Sequence, residues 1–294
     1  MNKYCEVILN PASGQKLPQL KYFNRAFKRY GYDWGIKITN RTGDAQLFAQ
    51  EAAKYADIVA VYGGDGTVND VISGMVGSNV PLGILPGGTG NVLAIELGIP
   101  WRTLDALDVI LAEKRNTRSI DVGVTNDKKY FMLQASLGLP ADMIEMATRK
   151  EKDRFGHLAY IISGIRALKQ QKYTTYSFTV DGKHYECEGI SFIVSNTGSI
   201  GIPHFSLDDT ATLFDGMFDI YILKSGKVKS LASLFYAFLS DKDVSSQLFH
   251  VQGKTVEIHS GITQNAQLDG ELWQTESSPL RMDLIHNAVS IIVP

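Results

Sequence analysis

The sequence predicts an α/β chain in two parts, an N-terminal parallel-sheet domain followed by a mostly antiparallel β-sandwich domain. Three observations carry that prediction. Apolar runs alternate with helical patterns over residues 1–122, glycine-rich loops close those runs, and short strand-like segments with hairpin signals take over beyond Asp121. The length of 294 residues suits two domains of about 100–200 residues each. The boundaries read as 1–122 and 123–294, with the final strand expected to pack back on the first domain.

In chain order, Val7-Ile8-Leu9, Ile58-Val59-Ala60-Val61-Tyr62 and Leu82-Gly83-Ile84-Leu85 are short apolar runs, each ending at a loop that contains Gly or Pro. Residues 45–55 form a helical segment after the turn signal Thr42-Gly43-Asp44. Val68, Val71, Ile72, Met75 and Val76 then recur at the spacing of one helix face. Beyond Asp121, Asp181-Gly182 joins the runs 176–180 and 185–194 as a two-residue hairpin. Further strands are expected at 218–223, 255–259, 280–285 and 289–293, interrupted by helices near 156–170 and 228–239.

Composition excludes several classes. Cys5 and Cys187 are the only cysteines, with no Cys/His cluster, so neither a zinc site nor a disulfide framework is indicated. The start of the chain turns polar at Pro11 and lacks the apolar stretch of an export signal; it reads as a buried first strand. No apolar run approaches the ~18–20 residues of a membrane-spanning helix. With 29 Lys+Arg against 31 Asp+Glu, there is no basic footprint for nucleic acid, and none is expected as a partner. A cytoplasmic protein, touching membranes only at their surface, is the expectation.

Three loops should leave the carboxyl ends of parallel strands: Asn10-Pro11-Ala12-Ser13-Gly14, Gly63-Gly64-Asp65-Gly66-Thr67 and Pro86-Gly87-Gly88-Thr89-Gly90-Asn91. In open α/β sheets the ligand crevice lies at that edge. Glycine there lets backbone N–H groups approach an anion with no Cβ in the way. One Gly-Gly turn is often only a tight connection; three on one edge argue for a phosphorylated ligand. Thr67 with Asp70 is expected to cap the following helix and leave its start open to phosphate. No GxxxxGK[ST] occurs, and the third glycine of GxGxxG is missing. A carboxylate at Asp65 inside such a loop either caps its own turn or faces a divalent cation such as Mg²⁺ bridging to nucleotide phosphates.

The ordered set of these motifs resembles the nucleotide-binding signature of the diacylglycerol kinase/sphingosine kinase catalytic superfamily, and is most similar to bacterial lipid kinases of the YegS and DgkB type. Asp121 in Ser119-Ile120-Asp121, Asp215-Gly216 and Asp269-Gly270-Glu271 follow in the same order. The resemblance implies an ATP- and Mg²⁺-dependent lipid kinase. It assigns the nucleotide to Asn10, Pro11, Ala12, Ser13, Gly14, Thr39, Gly63, Gly64, Asp65, Gly66, Thr67, Val68, Asn69, Gly88, Thr89 and Asn91. It makes Asp65 the organiser of the catalytic Mg²⁺, with Asp121 through water, and Glu271 the general base. A second, structural Mg²⁺ would sit at Thr212, Asp215 and Met217, with Asp208, Asp209 and Asp219 close in sequence. Gly90 before Asn91, and Asp70 where the family often has Glu, are small departures.

A lipid acceptor would need membrane contact. Lys224, Lys227 and Lys229 lead into an apolar face of Leu231, Leu234, Phe235, Phe238 and Leu239, and mixed charges at 149–154 add a positive excess; both also read as ordinary packing and solvated loop. The resemblance leaves a homodimer open. Two other functions stay in view: a kinase for NAD or another small alcohol, since Gly-Gly-Asp-Gly-Thr is shared with NAD kinases, and a nucleotide-binding regulator without turnover.

Overall fold

Residues 3–14, 20–138, 173–197, 212–224, 248–260, 266–275 and 277–294 are described by the computed structural model. The expected helices at 156–170 and 228–239, the face of Leu231, Leu234, Phe235, Phe238 and Leu239 with Lys227 and Lys229, the charges at 149–154, and Asp208 and Asp209 lie outside those residues. The chain divides into one unit of Met1–Val122 with Ile285–Pro294 and a second of Gly123–Leu284.

In the first unit, β1 (Lys3–Leu9) is apolar from Val7 onward because it lies inside a parallel sheet, flanked by β2 (Tyr32–Ile38) and β3 (Ile58–Gly63). Next to β3 runs β4 (Leu82–Pro86), and the last strand, β15 (Leu280–Val293), reaches β4 where Ile291 pairs with Leu82. The order is β2-β1-β3-β4-β15. Every residue of β3 and β4 is buried, which explains their unbroken apolar runs.

The helices α1 (Leu20–Tyr30), α2 (Asp44–Ala52) and α3 (Asp65–Met75) connect the first strands; α4 (Val92–Glu96) and α5 (Thr103–Leu111) follow β4. On α1 only Phe23 and Phe27 are buried, and both stack on Trp34 of β2, the closer ring at 5.0 Å. Gly74 lets α3 lie directly on α2, since a Cβ there would sit 2.3 Å from the Gln46 carbonyl oxygen. Gly83 does the same between β4 and α5, where a Cβ would fall 2.6 Å from Ile110.

Among the described residues, the strand pairs of the second unit are antiparallel. It contains β6 (Tyr130–Phe131), β7 (Gln134–Gly138), β8 (Thr174–Val180), β9 (Lys183–Ser195), β10 (Phe218–Lys224), β11 (Leu248–Gly253), β12 (Thr255–Ser260), β13 (Ala266–Leu268) and β14 (Glu271–Trp273). It also takes the end of β5 (Asn116–Thr125) and the start of β15. The long β9 is shared: its first half pairs with β8 and its second half lies between β7 and β10. Alternate residues of these strands bury a core of Phe131, Tyr176, Phe178, Phe192 and Phe218. Phe178 meets Phe192 edge-on at 4.9 Å. The predicted Asp181-Gly182 hairpin is present, both residues with positive φ as a type I′ turn requires. Asp181 also accepts the N–H groups of Lys254 (3.0 Å) and Thr255 (2.9 Å), tying the turn to β12.

Two expectations change. The runs 280–285 and 289–293 are one strand, whose apolar pattern lapses at His286 and Asn287 for a reason given below. Thr67 is not a helix cap: α3 starts after extended Gly64, two residues before Thr67, so Thr67 is buried inside the first turn. Among the described residues no helix is long and apolar enough to cross a membrane.

Gly83→Ala should destabilise the protein by about 1–3 kcal/mol, because all three outer carbons of Ile110 stand where the new methyl would go. Urea unfolding measures it; an unchanged midpoint would contradict the packing described.

Candidate active site

The three predicted loops do leave the carboxyl ends of β1, β3 and β4. Their contacts are made by side chains, and backbone to backbone where glycine permits. Asn10 joins the first loop to α3: its amide nitrogen donates to Thr67 Oγ1 (2.8 Å), and its amide oxygen accepts the N–H of Ala12 (2.9 Å). The Asn10 N–H donates to the Tyr62 carbonyl (3.0 Å), and the Thr39 N–H to the Leu9 carbonyl (2.9 Å), so both residues are fixed at the strand ends. Thr67 packs so tightly on Gly63 that a Cβ there would lie 2.6 Å from its own. Val68 is buried behind the loop, its N–H given to the Gly64 carbonyl, and Asn69 accepts from Ser73 Oγ (3.2 Å).

The second and third loops touch through main chain. The Gly87 N–H donates to the Gly63 carbonyl (2.8 Å). A Cβ on Gly88 would sit 2.5 Å from the Gly64 Cα. Buried Asn91 then closes the third loop on itself, donating to the Gly88 carbonyl (2.8 Å) and accepting the Gly88 N–H (2.9 Å), with φ of 51°. Gly14 of the first loop approaches Thr89 of the third, where a Cβ would meet the Thr89 methyl at 3.0 Å. Gly66 and Thr89 are left exposed. The result is a rim of small residues and main chain on one sheet edge, a cradle that side chains would fill and that fits a phosphate chain.

Asp65 opens α3 and lies against Gly90, where a Cβ would come within 2.7 Å of its carboxylate. Desolvation raises its pKa, opposed by the N–H groups of Val92, Asn91 and Leu93 at the start of α4. A half-buried carboxylate with backbone donors on one side and the loop rim on the other has the chemistry to hold a divalent cation beside phosphates. Gly87 and Gly90, predicted as part of the third loop but not among the residues assigned to the nucleotide, also meet their neighbours closely. A Cβ on Gly87 would fall 2.9 Å from the Tyr62 ring at the end of β3, and Gly90 faces the Asp65 carboxylate.

The other predicted residues each have a setting of their own. Asp121 on β5 is fully buried; its Oδ1 accepts from His286 Nδ1 (2.7 Å) and from the Asn287 N–H (2.8 Å). That bond explains the polar break in β15. Thr212, Asp215 and Met217 close a single turn, in which the Asp215 carboxylate accepts the N–H groups of Thr212 (2.8 Å) and Met217 (2.9 Å). The turn is completed by protein donors. Asp219 is buried and accepts from His250 Nε2 (2.7 Å) and Gln252 Nε2 (3.0 Å). Glu271 belongs to the second unit, exposed at the start of β14, one residue after the β13–β14 turn.

Residues 5–125 match the diacylglycerol kinase catalytic domain, and residues 134–293 the YegS C-terminal NAD kinase beta sandwich-like domain. A diacylglycerol kinase of Bacillus subtilis (strain 168) is 31% identical over 276 residues, covering 92% of this chain and 90% of the relative. A diacylglycerol kinase of Staphylococcus aureus (strain JH9) is 30% identical over 277 residues, covering 92% and 87%. Two solved structures from Bacillus anthracis str. Sterne superpose over the whole chain. One is 26% identical with a TM-score of 0.81 over 96% of its length; the other, a diacylglycerol kinase, is 24% identical, TM-score 0.73, over 97%, and bears on the fold alone. With both parts of the chain matched and relatives aligned nearly end to end, the protein belongs to the diacylglycerol kinase family and is a lipid kinase.

Proposed function

We propose that this lipid kinase moves the γ-phosphoryl group of ATP to the hydroxyl of a neutral lipid such as diacylglycerol, with Glu271 as general base. The observation that carries the nucleotide half is the rim itself. Asn10 on Thr67, Gly87 on Gly63 and Gly88 against Gly64 hold three loops in mutual contact, with Gly66 exposed in the first turn of α3, where helix N–H donors have no intrahelical partner. Such donors need no rearrangement when an anion arrives, and preorganised positioning and electrostatics supply most of the catalysis of phosphoryl transfer.

In the transfer, the acceptor oxygen forms a bond to the γ-phosphorus as the bond to the β–γ bridging oxygen breaks. ADP leaves, and the acceptor proton passes to the Glu271 carboxylate. Asp65 would hold the Mg²⁺ that accompanies the nucleotide and neutralises phosphate charge. The bonds of Asp121 to His286 and Asn287 support a role in fixing β15 to the nucleotide-binding unit rather than in touching the nucleotide. A peripheral, transient approach to the bilayer follows from the acceptor's insolubility.

Three outcomes test this. Labelled ATP offered with diacylglycerol, phosphatidylglycerol, sphingoid bases, ceramide and NAD should label diacylglycerol; transfer to NAD alone would replace the lipid reading, and binding with no transfer would favour the regulator. Glu271→Ala should lower turnover by about 10²–10⁴-fold, the range of general-base catalysis, with nucleotide affinity retained in a binding titration. Gly88→Ala should abolish nucleotide binding while circular dichroism stays native, since the added methyl meets main chain that has no room to yield.

A further inference from the structure

The base proposed above is exposed, and among the described residues no donor holds its carboxylate. Its direction therefore comes from the main chain that carries it. That main chain is the β13–β14 hairpin, in which Leu268 pairs with Glu271 across Asp269-Gly270. Both turn residues have positive φ, 46° and 88°, a two-residue type I′ geometry.

The turn is anchored far beyond its own hydrogen bonds. Asp269 Oδ1 accepts the N–H groups of Leu133 (2.8 Å) and Gln134 (2.9 Å), and Oδ2 accepts that of Met132 (2.6 Å). Its own N–H donates to the Gln134 carbonyl (2.9 Å). The donors are held in turn by Asn196, which gives its side-chain amide to the Met132 carbonyl (2.9 Å) and its N–H to the Leu133 carbonyl (2.8 Å). On the other side, Gln267 Oε1 accepts the Gly270 N–H (2.6 Å), and its amide nitrogen donates to Ser136 Oγ (2.9 Å). Charge-assisted bonds of this kind are the strong ones, and three on one carboxylate fix a turn's orientation.

We propose that Asp269 is the positioning residue for phosphoryl transfer: by gathering three consecutive N–H groups of residues 132–134 it sets the angle at which Glu271 meets the acceptor hydroxyl, and Gln267 locks the turn from the opposite side. The inference rests on Glu271 being the base. Asp269 itself is unsuited to that task, because its oxygens are engaged by donors where a base must be open to a proton. A shift of an ångström or so in a positioned group costs about 10²-fold in rate, so the effect should fall on kcat.

The test uses the full chain, with diacylglycerol in mixed micelles and ATP. Asp269→Ala should lower kcat by about 100-fold, with the KM for ATP within twofold of the native value. Asp269→Asn, which keeps one acceptor oxygen, should fall between that variant and the native protein. Gln267→Leu, which leaves Asp269 in place, should lower kcat by about 10-fold and supplies the same reading if Asp269→Ala does not fold. Native kcat in a folded Asp269→Ala protein, or a KM for ATP that rises as kcat falls, would overturn the proposal. Glu271→Ala run alongside separates the two ideas: turnover retained there removes the base and this inference with it, whereas loss there with native kcat in Asp269→Ala removes the positioning role alone.

Discussion

Two stretches of main chain meet with no side chain between them where Gly63 and Gly64 pass Gly87 and Gly88, and the rim proposed for the nucleotide depends on that meeting. It requires β3 and β4 to be adjacent and in register, Gly63 opposite Pro86, so that both strands end at one level. It requires Tyr62 to be buried beneath Gly87, within 3 Å of where a Cβ would be. The glycines are thus chosen by the sheet as much as by any ligand. A larger residue at either crossing would separate the loops before a phosphate could meet them.

The polar contacts act on the same problem. Asn10 and Asn91 use both ends of their amides inside or between loops, replacing main-chain partners that the sheet no longer supplies at its edge. Asp65 adds a charge to this ring of dipoles. Burial pushes its pKa up while the N–H groups of Val92, Asn91 and Leu93 pull it down, and the first effect is the larger. In the proposed reaction such a carboxylate gains from an incoming cation, because the cation offsets the desolvation that the backbone donors only partly relieve.

How far the sequence discloses this follows from burial. β1, β3 and β4 read as strands because both faces are covered, and the loops after them read as a phosphate edge because glycine is clustered there. The stretch 20–38 gives no such signal. α1 buries two phenylalanines on an otherwise polar and basic surface, and β2 is an edge strand interrupted by Gly35, against which the Tyr4 hydroxyl and Glu6 carboxylate pack. Thr67 looks like a cap by spacing, yet glycine started the helix earlier and the threonine served the Asn10 contact instead. The break at His286 and Asn287 hides a single strand, since both residues answer to a buried carboxylate 165 positions or more away in sequence. No local pattern encodes such a pairing.

The same consideration separates carboxylates held by main-chain donors from the proposed base. Asp44 accepts the N–H groups of Asn40 and Arg41, Asp181 those of Lys254 and Thr255, Asp215 those of Thr212 and Met217, and Asp269 those of residues 132–134. Each is acidic, beside a glycine and at a turn or a helix start, the very features that suggest catalysis from sequence. Their oxygens are occupied by main chain, which stabilises the ionised form and leaves little capacity to take a proton from a substrate. Glu271 differs from its neighbour two residues earlier in this one respect. It has the turn, the exposure and no competing donor among the described residues, so a proton it receives displaces nothing. A base needs that freedom together with a fixed backbone, and in the proposed reaction the Asp269-Gly270-Glu271 sequence divides the two requirements between its two carboxylates.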